Sequence, residues 1–229
     1  MIITDIVPKG KRQSVIWIDG QPAGFLDNRD ITFYNLRQDE ELNLVIWEKI
    51  EKELILPRGK RKAIELLEFQ DRTTKELHDK LTLTGYTEQQ TWEILAYVVS
   101  LHYIDEQRYA ESYMRSHGKS KSRREMKQVL LMKGVPEELI EAAYENYRAD
   151  CREELRYHNI LAGNEDDGNA EYDDPEQAAV RKQIQKKFPD GSISASKAEK
   201  LYASLMRKGF SYDAIRSVMS EYHITEEEQ

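Results

Sequence analysis

Ser122-Arg123-Arg124-Glu125-Met126-Lys127-Gln128-Val129-Leu130-Leu131-Met132-Lys133-Gly134-Val135-Pro136 is the stretch from which the rest of the chain becomes readable. Met126 and Leu130 are spaced i, i+4, the spacing of one buried helix stripe. Gly134 follows where a helix needs a left-handed residue to close. Ser122 with Glu125 has the form of a capping box at the other end. Val135 then offers an apolar staple, and Pro136 begins another helix.

The same arrangement recurs around Gly85 and Gly209. Four residues before each glycine stand Leu81, Leu130 and Leu205; eight before stand Leu77, Met126 and Leu201. Tyr86, Val135 and Phe210 come one residue after, and Thr87, Pro136 and Ser211 two after. Thr91, Ile140 and Ile215 come six after. Thr73 with Glu76 keeps the capping offset, whereas Ser196 with Glu199 slips by one residue. A helix is expected before each stripe, over 61–69, 106–115 and 176–188. The unit is therefore three helices, present three times, and stacking of the units is expected to give one continuous core.

The first third reads differently. Ser14-Val15-Ile16-Trp17-Ile18 is β-branched and aromatic, and Asp19-Gly20 after it is a type I′ hairpin signal. A small antiparallel sheet is expected over 2–27, with neighbouring strands at 2–7 and 21–26. Helical character begins near Asp30 and is clearer from Asp39 to Leu54, and Pro57 is expected to end it. The fold class is thus mainly α: tandem three-helix repeats, three units in an elongated arc, with a small N-terminal antiparallel β-sheet. The divisions are 1–57 for the sheet and helix extension and 58–104 for repeat 1. Repeat 2, with an extended last helix, is 105–162, an acidic flexible loop 163–174, and repeat 3 with the tail 175–229.

Composition narrows the function classes. The net charge is -8, which disfavours a simple nucleic-acid binder, but the charge is uneven. Between Pro57 and Gly134 there are 15 Lys/Arg against 11 Asp/Glu, while Gly163 to Glu176 holds seven acids and no base. Local charge, more than the total, sets where a polyanion docks. Cys151 is the sole cysteine, so no disulfide forms within the chain. No apolar run approaches the roughly 20 residues of a membrane span. The first residues lack a basic region followed by an apolar core, so no signal peptide, no membrane association and a cytoplasmic location are expected.

No catalytic or metal constellation emerges. His78, His102, His117, His158 and His223 are scattered, and none makes a metal-ligand spacing with another histidine or with Cys151. In the acidic stretch, a calcium loop centred on Gly168 would place Gly163 where an oxygen ligand is required. Nucleophile-elbow, phosphate-loop and zinc-protease motifs are missing. The expectation is a non-enzyme without cofactor or metal.

Several segments resemble the RecX family. Tyr103-Ile104-Asp105-Glu106-Gln107-Arg108-Tyr109-Ala110 resembles its signature joining the first and second repeats. Phe210-Ser211-Tyr212-Asp213-Ala214-Ile215-Arg216 resembles the start of its last helix. Ala63-Ile64-Glu65-Leu66-Leu67, then Thr74-Lys75-Glu76-Leu77 and Lys80-Leu81, resemble its first repeat, and Ile18-Asp19-Gly20 the sheet of longer members. The likeness covers 58–222 well and the first 57 residues more loosely. The acidic insertion and the acidic total charge depart from the pattern. The resemblance implies a protein that lies in the groove of the RecA–single-stranded DNA filament and damps its ATPase and strand exchange in recombinational repair. It also implies contact with single-stranded DNA weakly and mainly through the filament; a monomer is expected.

The candidate contact residues are basic. Arg115, Lys119, Lys121, Arg123, Arg124 and Lys127 lie in a segment whose first half bridges two helices with Gly118 and three serines, a composition suited to phosphate oxygens. Arg58, Lys60, Arg61 and Lys62 enter repeat 1. Arg181 and Lys182, with Lys186 and Lys187, open repeat 3, near Arg207 and Lys208. The plainer reading of each run is a solvated helix face. Tyr86, Tyr103, Tyr109, Tyr113, Phe210, Trp17, Trp47 and Trp92 read as core more than as base-stacking platforms. Two rival functions fit the same residues: a helix-turn-helix DNA-binding regulator, and a helical scaffold that binds only proteins.

Overall fold

The computed structural model describes residues 1–161, 174–189 and 191–225. These divide into two compact units, Met1–Asp105 and Glu106–Gln229.

Unit 1 opens with an antiparallel sheet, β1 (Ile3–Lys9), β2 (Gln13–Ile18) and β3 (Gln21–Asp27), in the order β1-β2-β3. Asp19 and Gly20 both have positive φ, 49° and 78°, as the expected two-residue turn demands. Ser14, Ile16 and Ile18 are buried and alternate with more exposed neighbours, so one face of β2 packs inward. After α1 (Asn28–Phe33), α2 (Leu44–Ile50) leads through a π-turn, Glu51–Ile55, directly into α3 (Leu56–Phe69). Pro57 therefore does not end this helix, contrary to the sequence expectation. The π-turn sends the Leu56 N–H to the Glu51 carbonyl, and Pro57 falls in the first turn of the next segment, where its missing donor costs least. Repeat 1 is α3, α4 (Thr74–Thr84) and α5 (Glu88–Ser100).

Unit 2 holds repeat 2, α6 (Glu106–His117), α7 (Arg123–Met132) and α8 (Glu137–Leu161), and repeat 3, α9 (Pro175–Lys187), α10 (Ala195–Arg207) and α11 (Tyr212–Met219). A short parallel pair, β4 (Ser192–Ser194) with β5 (His223–Thr225), brackets α10 and α11. It was not foreseen, because three-residue strands carry no readable alternation. Of the acidic stretch, all but Asp174 lies outside the described residues, as does its expected loop character. Asp174 is the N-cap of α9, accepting from the Glu176 N–H.

The repeat register holds in detail. Gly85, Gly134 and Gly209 have φ of 113°, 84° and 85°. The N–H groups of Tyr86, Val135 and Phe210 reach back to the carbonyls of Leu81, Leu130 and Leu205, the closing bond of a Schellman turn. Leu77, Leu81, Met126, Leu130, Leu201 and Leu205 are all at most 3% exposed. Full burial of such a side chain is worth about 1.5–3 kcal/mol, so these stripes dominate the packing of each repeat. Thr73 and Glu76 form the complete reciprocal capping box, and Ser122 caps α7 through the Glu125 N–H. Ser196 is not a cap: α10 starts at Ala195 with Ser194 in the N-cap position.

Two further expectations change. Among the described residues the buried apolar side chains form three groups instead of one continuous core: the sheet shares its core with repeat 1, and repeats 2 and 3 each have their own. In each of the latter, three helices already enclose the stripes; Tyr144 and Tyr147 of α8 close the second over Ala110 and Met114. Trp92 and Tyr103 are not core residues, being 53% and 38% exposed. Trp92 instead donates to Glu88 across one helical turn and packs beside His78. Trp47, Tyr86 and Phe210 are buried.

Candidate nucleic-acid and filament interface

Most of the sequence-flagged bases are held by acids. In unit 1, Arg58 pairs with both Asp30 and Asp27, and those carboxylates hold its guanidinium above its usual pKa. Lys60 meets Glu93 at 3.3 Å and lies 5.1 Å from the Tyr97 ring; Lys62 meets Glu65 at 3.4 Å. Arg61 is exposed.

In unit 2, Arg123 and Lys127 converge on Glu141. Lys127 also reaches Glu137, and Arg123 lies over the Tyr144 ring at 4.5 Å. The two cations hold the Glu141 carboxyl below its usual range, Lys127 contributing most. This knot pins α7 to α8. Arg115 pairs with Asp150 of α8 at 3.1 Å and with Glu111 at 3.7 Å. Lys119 lies beside it on the α6–α8 face, in a groove that also contains Tyr147, Cys151 and Tyr157. Arg181 makes a two-pronged bond to Glu221.

Six of the bases noted in the sequence do come together. Where repeats 2 and 3 meet, the start of α7, the end of α10 and one face of α9 surround two depressions that share Ser120 and Gln183. One is lined by Lys121, Arg124, Arg207 and Lys208, the other by Lys182 and Lys186. Sequence reasoning passed over Gln183, whose role is visible only in three dimensions. Its amide donates to the Ser120 carbonyl at 2.9 Å and accepts from Lys208 at 2.7 Å. Buried Ser122 donates to the Lys208 carbonyl at 2.7 Å, and Glu176 accepts from the Arg123 N–H at 3.4 Å. These bonds fix the seam, so the cations around it sit on a rigid frame. Among the described residues Glu125 is the sole acid lining the two depressions, and Lys121 already engages it at 2.7 Å. Arg124, Lys182, Lys186 and Arg207 have no carboxylate partner among the described residues. A row of such cations beside a hydroxyl and an amide suits phosphate oxygens or an acidic protein surface.

Residues 60–97 match RecX, first three-helix domain; residues 105–143 match RecX, second three-helix domain; and residues 174–219 match RecX, third three-helix domain. The chain belongs to the RecX family. The matched spans correspond to the three repeats. They leave out the N-terminal sheet and all but the first two turns of α8. "Regulatory protein RecX" of Staphylococcus aureus (strain JH9) is 26% identical over 226 residues, covering 98% of this chain and 75% of that protein. A crystal structure of regulatory protein RecX superimposes with a TM-score of 0.59 at 18% identity, covering 96% of this chain and 98% of that one; the likeness is one of fold. The crystal structure of RecX from Lactobacillus salivarius gives a TM-score of 0.52 at 25% identity over 72% of this chain and 95% of that one. RecX is a regulatory family. Among the described residues no helix is long and apolar enough to cross a membrane.

Proposed function

We propose that this protein is a cytoplasmic, monomeric, non-enzymatic regulator that binds the RecA–single-stranded DNA filament and slows its ATP turnover and strand exchange in recombinational repair. The observation that carries the reading is the seam of unit 2, where Arg124, Lys182, Lys186 and Arg207 stand on a fixed frame without carboxylate partners. Lodged in a filament groove, such a surface grips phosphate or acidic side chains and resists the subunit motions that ATP turnover requires.

The test is a titration of DNA-dependent RecA ATPase with the wild-type chain and an Arg124→Ala, Lys182→Ala, Lys186→Ala, Arg207→Ala variant at two salt concentrations. These substitutions spare the Arg123–Glu141–Lys127 knot, so folding is preserved. The expected result is that the variant needs at least tenfold more protein for half-inhibition, with a weaker salt dependence. A folded variant that inhibits like wild type removes the seam from the mechanism. Wild-type preference for bare duplex over the coated strand would replace the reading with a helix-turn-helix regulator. Absence of binding to any DNA or filament would leave a protein-only scaffold.

A further inference from the structure

The N-terminal sheet carries a second basic surface that the sequence reading did not single out. The β1–β2 hairpin ends in the three-residue loop Gly10-Lys11-Arg12, with Gly10 at φ 77°. Two ties hold this tip. Lys9 donates to the Thr84 carbonyl at the end of α4 and lies over the Phe25 ring at 5.8 Å. The Arg12 carbonyl accepts from the Asn28 N–H at 2.8 Å, which sets the tip against the start of α1. Lys9, Lys11, Arg12 and Arg29 thereby line one depression.

The acids that could neutralise it are engaged elsewhere. Asp27, the sole acid among the described residues that line the depression, accepts from Gln13 at 3.1 Å and faces Arg58 at 3.3 Å; Asp30 is bound by Arg58. Lys11, Arg12 and Arg29 are exposed and have no carboxylate partner among the described residues. One turn along α1 from Arg29, at i+4, stands Phe33, 81% exposed. Tyr34, itself packed on the unit 1 core, meets the Phe33 ring edge-on at 5.1 Å. An outward ring at that exposure contributes little to folding, yet it offers a flat apolar face beside a row of cations.

We infer that the hairpin tip and α1 form a contact site for a single nucleic-acid strand, with Lys11, Arg12 and Arg29 on successive phosphates and a base stacked on Phe33. Cations that track a backbone beside an aromatic platform are the physical requirements of single-strand binding without sequence preference. An acidic protein surface would use the cations but not the ring. Duplex DNA keeps its base faces stacked and would leave Phe33 idle. This site is separate from the seam of unit 2 and does not rest on the filament reading.

The experiment is fluorescence polarisation of the full chain on a labelled single-stranded oligonucleotide and on a duplex of equal length, without RecA, over a series of salt concentrations. Two variants are compared with wild type, Lys11→Ala/Arg12→Ala/Arg29→Ala and Phe33→Ala, each checked by circular dichroism and thermal unfolding. The triple variant should weaken single-strand binding at least tenfold and flatten its log–log salt slope by about two. Phe33→Ala should weaken single-strand binding about fivefold, leaving the salt slope and duplex binding unchanged. The inference is overturned by a folded triple variant with unchanged affinity and slope. It is equally overturned by a Phe33→Ala variant that binds like wild type, or by wild-type protein that ignores the bare strand. Because RecA is absent, these outcomes are independent of the ATPase titration.

Discussion

The entrance to repeat 1 and the seam between repeats 2 and 3 use the same kinds of residue differently. At the repeat 1 entrance Arg58, Lys60 and Lys62 each meet a carboxylate, and Arg58 meets two. These cations are internal ties, binding α3 to the sheet, to α5 and to its own next turn. At the seam the ties run through Ser122, Gln183 and Lys208, whose carbonyl accepts from Ser122 and whose ammonium donates to Gln183, and Arg124, Lys182, Lys186 and Arg207 are left over. A base becomes available to a partner where the fold holds its neighbourhood together without it. Surface charge density alone does not make that distinction.

The largest effect separating the units should come from two buried glycines. A methyl group at Gly118 would lie 2.4 Å from the Tyr147 ring, and one at Gly59 would lie 2.3 Å from the end of the Ile94 side chain. At Gly118 three atoms of the Tyr147 side chain lie within 2.5 Å, whereas at Gly59 the shortest contact is the far end of one aliphatic side chain and the Tyr86 ring follows at 2.9 Å. Gly118→Ala should therefore cost about 3 kcal/mol, at the upper end for overpacking, and Gly59→Ala about 1–2 kcal/mol. Helix propensity taken alone gives the opposite sign at Gly59, a gain of about 1 kcal/mol. Urea denaturation of the two variants decides between packing and propensity; a stabilised Gly59→Ala would show that α3 and α5 lie further apart.

A smaller difference should show in alkali. Burial pushes the Tyr86 phenol up to about 12, with Arg58 nearby opposing it. In the unfolded chain a tyrosine titrates near 10. The folded-state pKa is the raised one, so the neutral phenol's contribution is complete below pH 10 and declines as pH rises from 10 through 12. Tyr144 and Tyr147 are raised by burial as well, so unit 2 shares the trend. Stability followed by denaturant midpoint should fall over that window, and Tyr86→Phe should flatten the part belonging to unit 1. A midpoint independent of pH between 10 and 12 would mean that these phenols are already solvated.

How far the sequence could be read follows the range of the interactions involved. The three glycines, their i, i+4 apolar pairs and the caps Thr73 and Ser122 are contacts within about one helical turn, and their spacing is sufficient evidence. The Asp19-Gly20 hairpin is equally local. Pro57 misled because a π-turn six residues long with its cap has no composition signature. The seam was half legible. Arg124 and Lys182 stand out as bases, but Glu141 consuming Arg123 and Lys127 is a contact 14 to 18 positions away. Gln183 joining Ser120 to Lys208 spans 63 and 25 positions. The hairpin cations Lys11, Arg12 and Arg29 escaped notice because they are few and lie on either side of β2 and β3. Pairing across the sheet brings them together.

The smallest expected effect is also the sharpest test of the contrast between engaged and unengaged cations. Arg123 and Arg124 are adjacent, both exposed, and indistinguishable by composition. Arg123 binds Glu141 and covers the Tyr144 ring. Its removal loses a charge-assisted bond and a cation–π contact, together about 1 kcal/mol at a partly exposed site. Arg124 lies with its aliphatic part near Gly209 and lines the same depression as Arg207. Arg124→Ala should change stability by less than about 0.5 kcal/mol, the usual range for a surface substitution. In the ATPase titration the order reverses: Arg124→Ala should weaken inhibition more than Arg123→Ala. Paired unfolding and inhibition curves for the two single variants settle the matter. If both variants lose stability equally, Arg124 is a structural tie like its neighbour. If both lose inhibition equally, the ion pair with Glu141 does not withhold Arg123 from the partner.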